Sequence, residues 1–288
     1  MRFTGIILVV LAAIFWGITG GIANILMDKG WDPIVISLYR GGVGFISAFI
    51  WLLISFRKSF TKSPRLHFWS MIAGIGVAGN FTFYFLSIQS ASIAVAATLM
   101  YTAPIFVLLF SFLFGIERST WFKWGAIASV LAGIALLTGA YDPDDISVSF
   151  LGMAAGLASA LSYALFIFGF KNACENGTPQ TLLTTAFLSF SIILLLFADK
   201  GEVASVVTSS DLGWFVLMGI LGAGISFILY VIGIRRTAPS TAAMVAMIEP
   251  VTASLFGVLL LGDKLGTMQL LGMVVILGTV TVLSVKQA

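Results

Sequence analysis

Ten runs of about 20 apolar residues, divided by short polar breaks, limit what this chain can fold into. A helix needs about 20 such residues to cross the hydrocarbon core of a bilayer. Cut at polar and Pro/Gly breaks, the runs cover about 4–27, 33–56, 68–88, 91–114, 121–140, 150–171, 178–198, 212–233, 239–261 and 266–285. Breaks such as "DKGWDP", "GIERST", "RRTAPS" and "GDKLG" are too short to hold a soluble domain. Any function must therefore reside among the helices. Composition agrees. Only 9% of the 288 residues are charged, against about 25% in a soluble globular protein. The first run follows Arg2 as a signal peptide would. It is too long for a signal core and lacks a clear small-x-small cleavage site, so it reads as a retained first span. The expected fold is an all-α polytopic membrane protein.

Basic residues in cytoplasmic loops set orientation. With the N-terminus inside, the inner side carries Arg2, Arg57, Lys58, Lys62, Arg65, Arg118, Lys123, Lys171, Arg235, Arg236 and Lys286. The outer side carries only Lys29, Lys200 and Lys264. This asymmetry predicts that both termini are cytoplasmic, in a cell (inner) membrane, with the acidic "YDPDD" loop outside. The chain also repeats itself. A shift of 146 residues lays "FTFYFLSI" (81–88) on "FILYVIGI" (227–234), Gly76 on Gly222, Pro33 on Pro179 and Pro104 on Pro250. It also lays Glu117-Arg118 on Asp263-Lys264, and one residue of slippage sets Gly5 on Gly152 and Trp16 on Tyr163. Each half, 1–143 and 144–288, then holds five spans, and an odd number inverts the second half. Inverted repeats build many secondary transporters, with the substrate site near the midplane between the halves.

Several stretches carry a family resemblance. "IEPVTASLFGVLLLGDKL" (248–265) and its echo "TAPIFVLLFSFLFGIER" (102–118) resemble the signature of EamA-type proteins of the drug/metabolite transporter superfamily. "IFWGITGGIANIL" (14–26) and "PIVISLYRGGVGF" (33–45) are similar to the first- and second-helix patterns. The resemblance covers the whole chain. It implies substrate movement by alternating access, and bacterial members of the family include exporters of amino acids and related metabolites. It says little about substrate.

Within the spans, Glu249 stands out. A charge at the bilayer centre costs at least about 2.5–3.5 kcal/mol, which makes it a functional candidate. Glu249 lies about ten residues from either end of its run, near the midplane. Either it lines a cavity and binds a substrate cation or a proton, or it fixes helix packing. Pro250 removes a backbone hydrogen bond and opens its helix near residue 246; Pro104 does the same near Met100. Either these are paired hinges, or they are static kinks. Helical spacing groups Gly76, Asn80 and Tyr84 on one face, repeated as Gly222, Ser226 and Tyr230. Trp16, Gly20 and Asn24 share another, as do Ser159 and Tyr163, while Tyr101 precedes the Pro104 bend. A cavity walled by Trp16, Asn80, Tyr84, Tyr101, Ser159, Tyr163, Tyr230 and Glu249 suits an amphipathic solute, since Tyr and Trp offer flat apolar surface with one polar handle. The alternative is interhelical packing. Arg40, roughly 10 Å into its helix, serves a structural role or acts as a gating charge. Glu117 and Asp263 read as caps of the helices that follow them.

These observations sort the function classes. The leading expectation is a secondary transporter that exports small organic metabolites, amino acids above all. A nucleotide-sugar or phosphate antiporter would need clustered Lys or Arg, and Arg40 is the one basic residue well inside a run. A passive channel is the main alternative. An intramembrane protease needs paired acids or a His cluster, and this chain has one deep acid, one His in a loop and one Cys. No ATP-binding motif occurs, so energy must come from a gradient. The expected partners are a small-molecule substrate, the lipid bilayer and, as a coupling option, protons. No cofactor, metal or nucleic acid is expected, and the chain would act as a monomer or homodimer.

Overall fold

The computed structural model describes residues 2–55, 59–140 and 149–287. Among these residues, ten helices are long and apolar enough to span a bilayer. They are α1 Phe3–Asp28, α2 Pro33–Ile54, α3 Pro64–Ser90, α4 Ile93–Leu113, α5 Trp121–Thr138, α6 Phe150–Glu175, α7 Pro179–Phe197, α8 Leu212–Ile234, α9 Pro239–Leu261 and α10 Thr267–Lys286. No strand occurs among the described residues. The YDPDD loop, Arg57, Lys58 and the expected boundary at 143/144 lie outside them.

Capping chemistry sets the helix ends. Asp32, Ser63, Thr120 and Ser149 accept hydrogen bonds from amides of the turn they open. Pro33, Pro64, Pro179 and Pro239 stand at helix starts, where a missing N–H costs nothing. Two helices outrun the apolar pattern. α3 begins at Pro64 because Ser63 caps it. α6 continues past Lys171 to Glu175, and the Lys171 ammonium donates to carbonyls at the end of α8 and in the α8–α9 connection.

The helices pair as an inverted repeat requires. α3 packs on α6, and its equivalent α8 packs on α1. α4 packs on α6 as α9 packs on α1, and α3 on α7 as α8 on α2. The α2–α7 and α5–α10 contacts each join a helix to its own counterpart.

Two helices are broken. α4 divides into Ile93–Met100 and Ala103–Leu113; α9 divides into Pro239–Val245 and Ile248–Phe256, followed by wider turns over Gly257–Leu261. Pro104 and Pro250 cannot donate to the carbonyls four residues back, at Met100 and Ala246. Tighter bonds replace the lost ones: Thr102 N donates to Leu99 O at 3.1 Å, Met247 N to Met244 O at 3.2 Å and Glu249 N to Ala246 O at 2.9 Å. The sequence pattern did not anticipate a wide-turn segment in α8, Ile220–Ile225. There the Ser226 amide reaches back to Leu221 instead of Gly222. Single wide turns of this kind are frequent at functional sites.

Candidate functional site

A cavity of about 200 Å³ lies between the halves of the chain. Among the described residues, its lining comes from seven helices, including the two broken ones and the one with the wide turn. α1 presents Trp16, Gly20 and Asn24 at the spacing of one helix face; α3 presents Asn80 and Tyr84. Tyr101 stands at the α4 break, Glu249 just beyond the α9 break, Tyr163 on α6 and Arg40 on α2. Apolar surface completes the wall, chiefly Phe81, Phe85, Phe166 and Phe227. Nothing along the chain marks these phenylalanines, because Phe is abundant, at 25 of 288 residues. Only three-dimensional packing separates the few that face a cavity.

The cavity brings together one basic and one acidic side chain, Arg40 and Glu249. The Glu249 carboxylate acts electrostatically on Arg40, Tyr84, Tyr101 and Tyr163. It forms no ion pair with Arg40: among the described residues, ion pairs join only Lys29 to Asp211 and Lys123 to Glu117. Arg40 is buried, and its Nε and Nη2 donate to one carbonyl, that of Gly222, at 3.3 and 3.2 Å. The wide turn diverts the Ser226 amide to Leu221, leaving that carbonyl to Arg40. Glycine is required at 222, since a Cβ there would lie 2.6 Å from Thr19 Oγ1 and 2.8 Å from Arg40 Nε. The guanidinium also lies 5.3 Å from the Phe81 ring centroid. Arg40 is thus held in one orientation with donors to spare.

Two expected wall residues sit behind the wall. Ser159 is fully buried and exchanges hydrogen bonds with Asn80: Asn80 Nδ2 donates to Ser159 Oγ at 3.0 Å, and Ser159 Oγ donates to Asn80 O at 3.0 Å. It positions Asn80 and does not line the cavity. Tyr230 is also fully buried, its ring 5.0 Å from Trp16 and 6.0 Å from Phe166. Its residue spacing matches Tyr84, but the inverted half carries it onto the packed side of α1. The Trp16 Nε1 and Tyr163 Oη groups line or adjoin the cavity without a hydrogen-bond partner. An unsatisfied buried donor costs about 1–3 kcal/mol, so both are groups that a polar solute would satisfy. Pro104 and Pro250 are buried at the breaks and do not line the cavity.

The backbone of α1 comes close to the α9 break. A Cβ on Gly17 would lie 2.5 Å from the Glu249 carbonyl oxygen. From this crossing the cavity runs along α1 toward Met27 and along α3 toward Phe85, near the end of the bundle that carries Asp263. Toward the opposite end, which carries Glu117, the first half of α9 closes it. Every residue from Pro239 to Val245 is buried, and this segment packs on the second half of α4. Among the described residues, none of that segment lines the cavity.

Each end has its own polar ties. At the Glu117 end, Ser240 N donates to Glu117 Oε1 at 2.9 Å, and Ser240 Oγ and Lys123 Nζ donate to Oε2 at 2.5 Å each. Glu117 therefore caps the start of α9, not its own next helix, which Thr120 caps. Burial alone would raise the Glu117 pKa, but the bonds from Lys123 and Ser240 outweigh it and hold the carboxyl below its usual value. At the Asp263 end, Asp211 accepts from Lys29 Nζ and, at 3.0 Å, from Trp31 Nε1. The Lys29 bond first, then Trp31, lowers the Asp211 pKa. No group of three His, Cys, Asp or Glu residues among the described residues could hold a metal ion.

Comparison with known proteins agrees with this architecture. The profile of the EamA-like transporter family matches residues 3–139 and again 150–285. The uncharacterized inner membrane transporter YedA of Escherichia coli K12 is 29% identical over 94% of this chain and 87% of its own. The uncharacterized transporter YwfM of Bacillus subtilis is 24% identical over 96% and 92%. The threonine/homoserine exporter RhtA of Escherichia coli K12 is 27% identical over 77% and 73%. A solved crystal structure shares the fold, with a TM-score of 0.75 over 97% of both chains at 19% identity.

Proposed function

The chain belongs to the EamA-like transporter family, and on that premise we propose that it exports small zwitterionic metabolites, amino acids foremost, by alternating access around this cavity. One observation carries the reading: Arg40 and Glu249 face a single cavity and form no ion pair with each other. Each charge costs at least about 2.5–3.5 kcal/mol in the bilayer core unless it is paired. A zwitterion supplies both counter-charges, its carboxylate to Arg40 and its ammonium to Glu249. Trp16, Tyr84 and Tyr101 take the apolar part of the solute, with polar handles from Asn80 and Tyr163. Ser159 and Tyr230 support these from behind, and Pro104 and Pro250 serve as the hinge points of α4 and α9. The likeness to a threonine/homoserine exporter supports the same substrate class.

The reading includes an orientation. Lys62, Arg65, Arg118, Lys123, Lys171, Arg235, Arg236 and Lys286 fall at the Glu117 end, which makes it cytoplasmic, with both termini, in the inner membrane. The cavity then faces outward. Each half, 1–143 and 144–288, contributes one broken helix. A gradient drives the cycle, protons being one source through Glu249, and the cavity lies within one chain, so a monomer suffices.

Proteoliposomes loaded with one amino acid test this. Internal solute should accelerate uptake of labelled solute outside, as a carrier does and a channel does not. Amino acids should compete, while their amides and N-acetyl derivatives should compete roughly tenfold less or worse, having lost one charge contact. Equal competition by all three forms overturns the zwitterion reading, and absence of counterflow overturns the carrier reading.

A further inference from the structure

The cavity extends toward one end of the bundle, and the two ends differ in a way that the repeat makes interpretable. Glu117 follows α4 and caps the start of α9 through the Ser240 amide and hydroxyl. A shift of 146 residues maps Glu117 onto Asp263, Pro239 onto Ile93, Ser240 onto Ala94 and Lys123 onto Gln269. Inversion places Asp263 and the start of α4 together at the other end of the bundle. There the equivalent tie is unmade. The Asp263 carboxylate is exposed, lies beside Gly257 and forms no hydrogen bond or ion pair among the described residues. Among the described residues, the first half of α4 also packs far less on the second half of α9 than the first half of α9 does on the second half of α4.

In an inverted repeat, access alternates by rocking or gating of one half against the other around a fixed site. We propose that Glu117 and Asp263 are paired latches of transport. Glu117 on the start of α9 closes one end in this state, and Asp263 on the Ala94 amide at the start of α4 closes the other end in the opposite state. This rests on the alternating-access reading above. Helix starts favour a carboxylate because their amides are unpaired and the dipole is positive there. The latches are unequal. Asp263 is one methylene shorter than Glu117, Ala94 offers an amide but no hydroxyl, and Gln269 supplies no cation where Lys123 does. The inequality biases the resting protein toward the state with the Glu117 end closed. Glu117 and Asp263 are positioning residues and do not touch the solute.

Labelling of a buried cysteine reads the latch without any substrate. Cys174 is replaced by Ala, and Ala243, fully buried in the first half of α9, by Cys. The reconstituted chain is treated with a soluble maleimide. Labelling should be slow, and Glu117→Gln should speed it roughly tenfold or more by removing charge-assisted bonds. Adding Asp263→Asn to Glu117→Gln should slow it severalfold again, because the opposite state loses its own latch. A purely structural cap has no reason to show that reversal. Lys123→Gln, which keeps the carboxylate, should give a smaller acceleration and serves if Glu117→Gln does not fold. Unchanged labelling in both Glu117→Gln and Lys123→Gln, or faster labelling on adding Asp263→Asn, overturns the proposal. If labelling follows the expected order but no solute is carried, the functional reading falls and the latch stands. If solutes exchange while labelling stays fixed, the latch falls.

Discussion

Helices α4 and α9 hold equivalent places in the two halves, and both break where a proline four residues on removes a hydrogen bond. Their side chains then diverge. Tyr101 at the α4 break faces the cavity, while its equivalent Met247 is fully buried. Glu249 faces the cavity, while its equivalent Ala103 is fully buried. The first half of α9 is buried throughout, whereas in α4 only Ala96, Ala97 and Met100 are. The break belongs to the repeat, and the chemistry belongs to one half. A shared backbone defect provides two places where irregular chain can reach a cavity; distinct side chains decide what each place does there.

The largest effect should come from moving the carboxylate between the halves. Glu249→Ala should reduce amino-acid counterflow roughly ten- to a hundredfold, as expected when a charged partner is lost. Adding Ala103→Glu should not restore it and should lower stability, because position 103 buries a carboxylate without a partner. Recovered counterflow in the double variant would break the contrast between the two helices.

The next prediction concerns the helices that cross the breaks. Gly17 on α1 meets the α9 break with no room for a methyl group. The corresponding residue on α6, one past Tyr163, is Ala164, which is fully buried. Gly17→Ala should cost about 1–3 kcal/mol by overpacking, read as a lower thermal unfolding midpoint in detergent. Ala164→Gly should cost about 1 kcal/mol or less more than a typical helical Ala→Gly change, which is itself about 1 kcal/mol. Equal midpoints for Gly17→Ala and wild type would remove the close approach at α9.

A smaller and symmetric effect is expected at the prolines. Pro104→Ala and Pro250→Ala each return an N–H donor, so both should straighten their helices and slow counterflow by similar factors while the protein stays folded. A deficit confined to one variant would show that the hinge, like the carboxylate, belongs to a single half.

The smallest effect is on pH. The Glu117 carboxyl has a folded-state pKa below its ordinary value. Its stabilisation is therefore present above the unfolded pKa, about 4.3, and fades as pH falls through the lower folded value. Lys123 and Ser240 face this carboxylate, and Lys171 feels its charge. Acidification from neutral to below pH about 4 should narrow the difference in unfolding midpoint between wild type and Glu117→Gln. A difference that stays constant across that range would mean the latch is not ionised.

Much of this was legible in order along the chain. Apolar runs of about 20 residues gave ten spans because a helix lets such a run satisfy its own backbone in lipid. The prolines located both breaks within a residue or two, since proline's missing donor acts locally. Helical spacing placed Trp16, Asn80 and Tyr84 on cavity-facing sides. It misplaced Ser159 and Tyr230, because spacing identifies a face but not what the face meets. It also read Glu117 as a cap for the helix after it, whereas the carboxylate reaches Ser240, 123 residues away in sequence.

Membrane residence, ten crossings, an inverted pair of five-helix halves and two proline breaks can all be read along the chain, because each follows from local hydrophobicity and backbone chemistry. That Arg40 and Glu249 share a cavity, that a wide turn in α8 frees the Gly222 carbonyl for Arg40, and that a fully buried first half of α9 lies at the Glu117 end emerge only from the packed bundle. Those outcomes depend on contacts between residues far apart in the chain. In a sequence this uniformly apolar, no pattern along the chain distinguishes a residue that meets a neighbouring helix from one that meets lipid or a cavity.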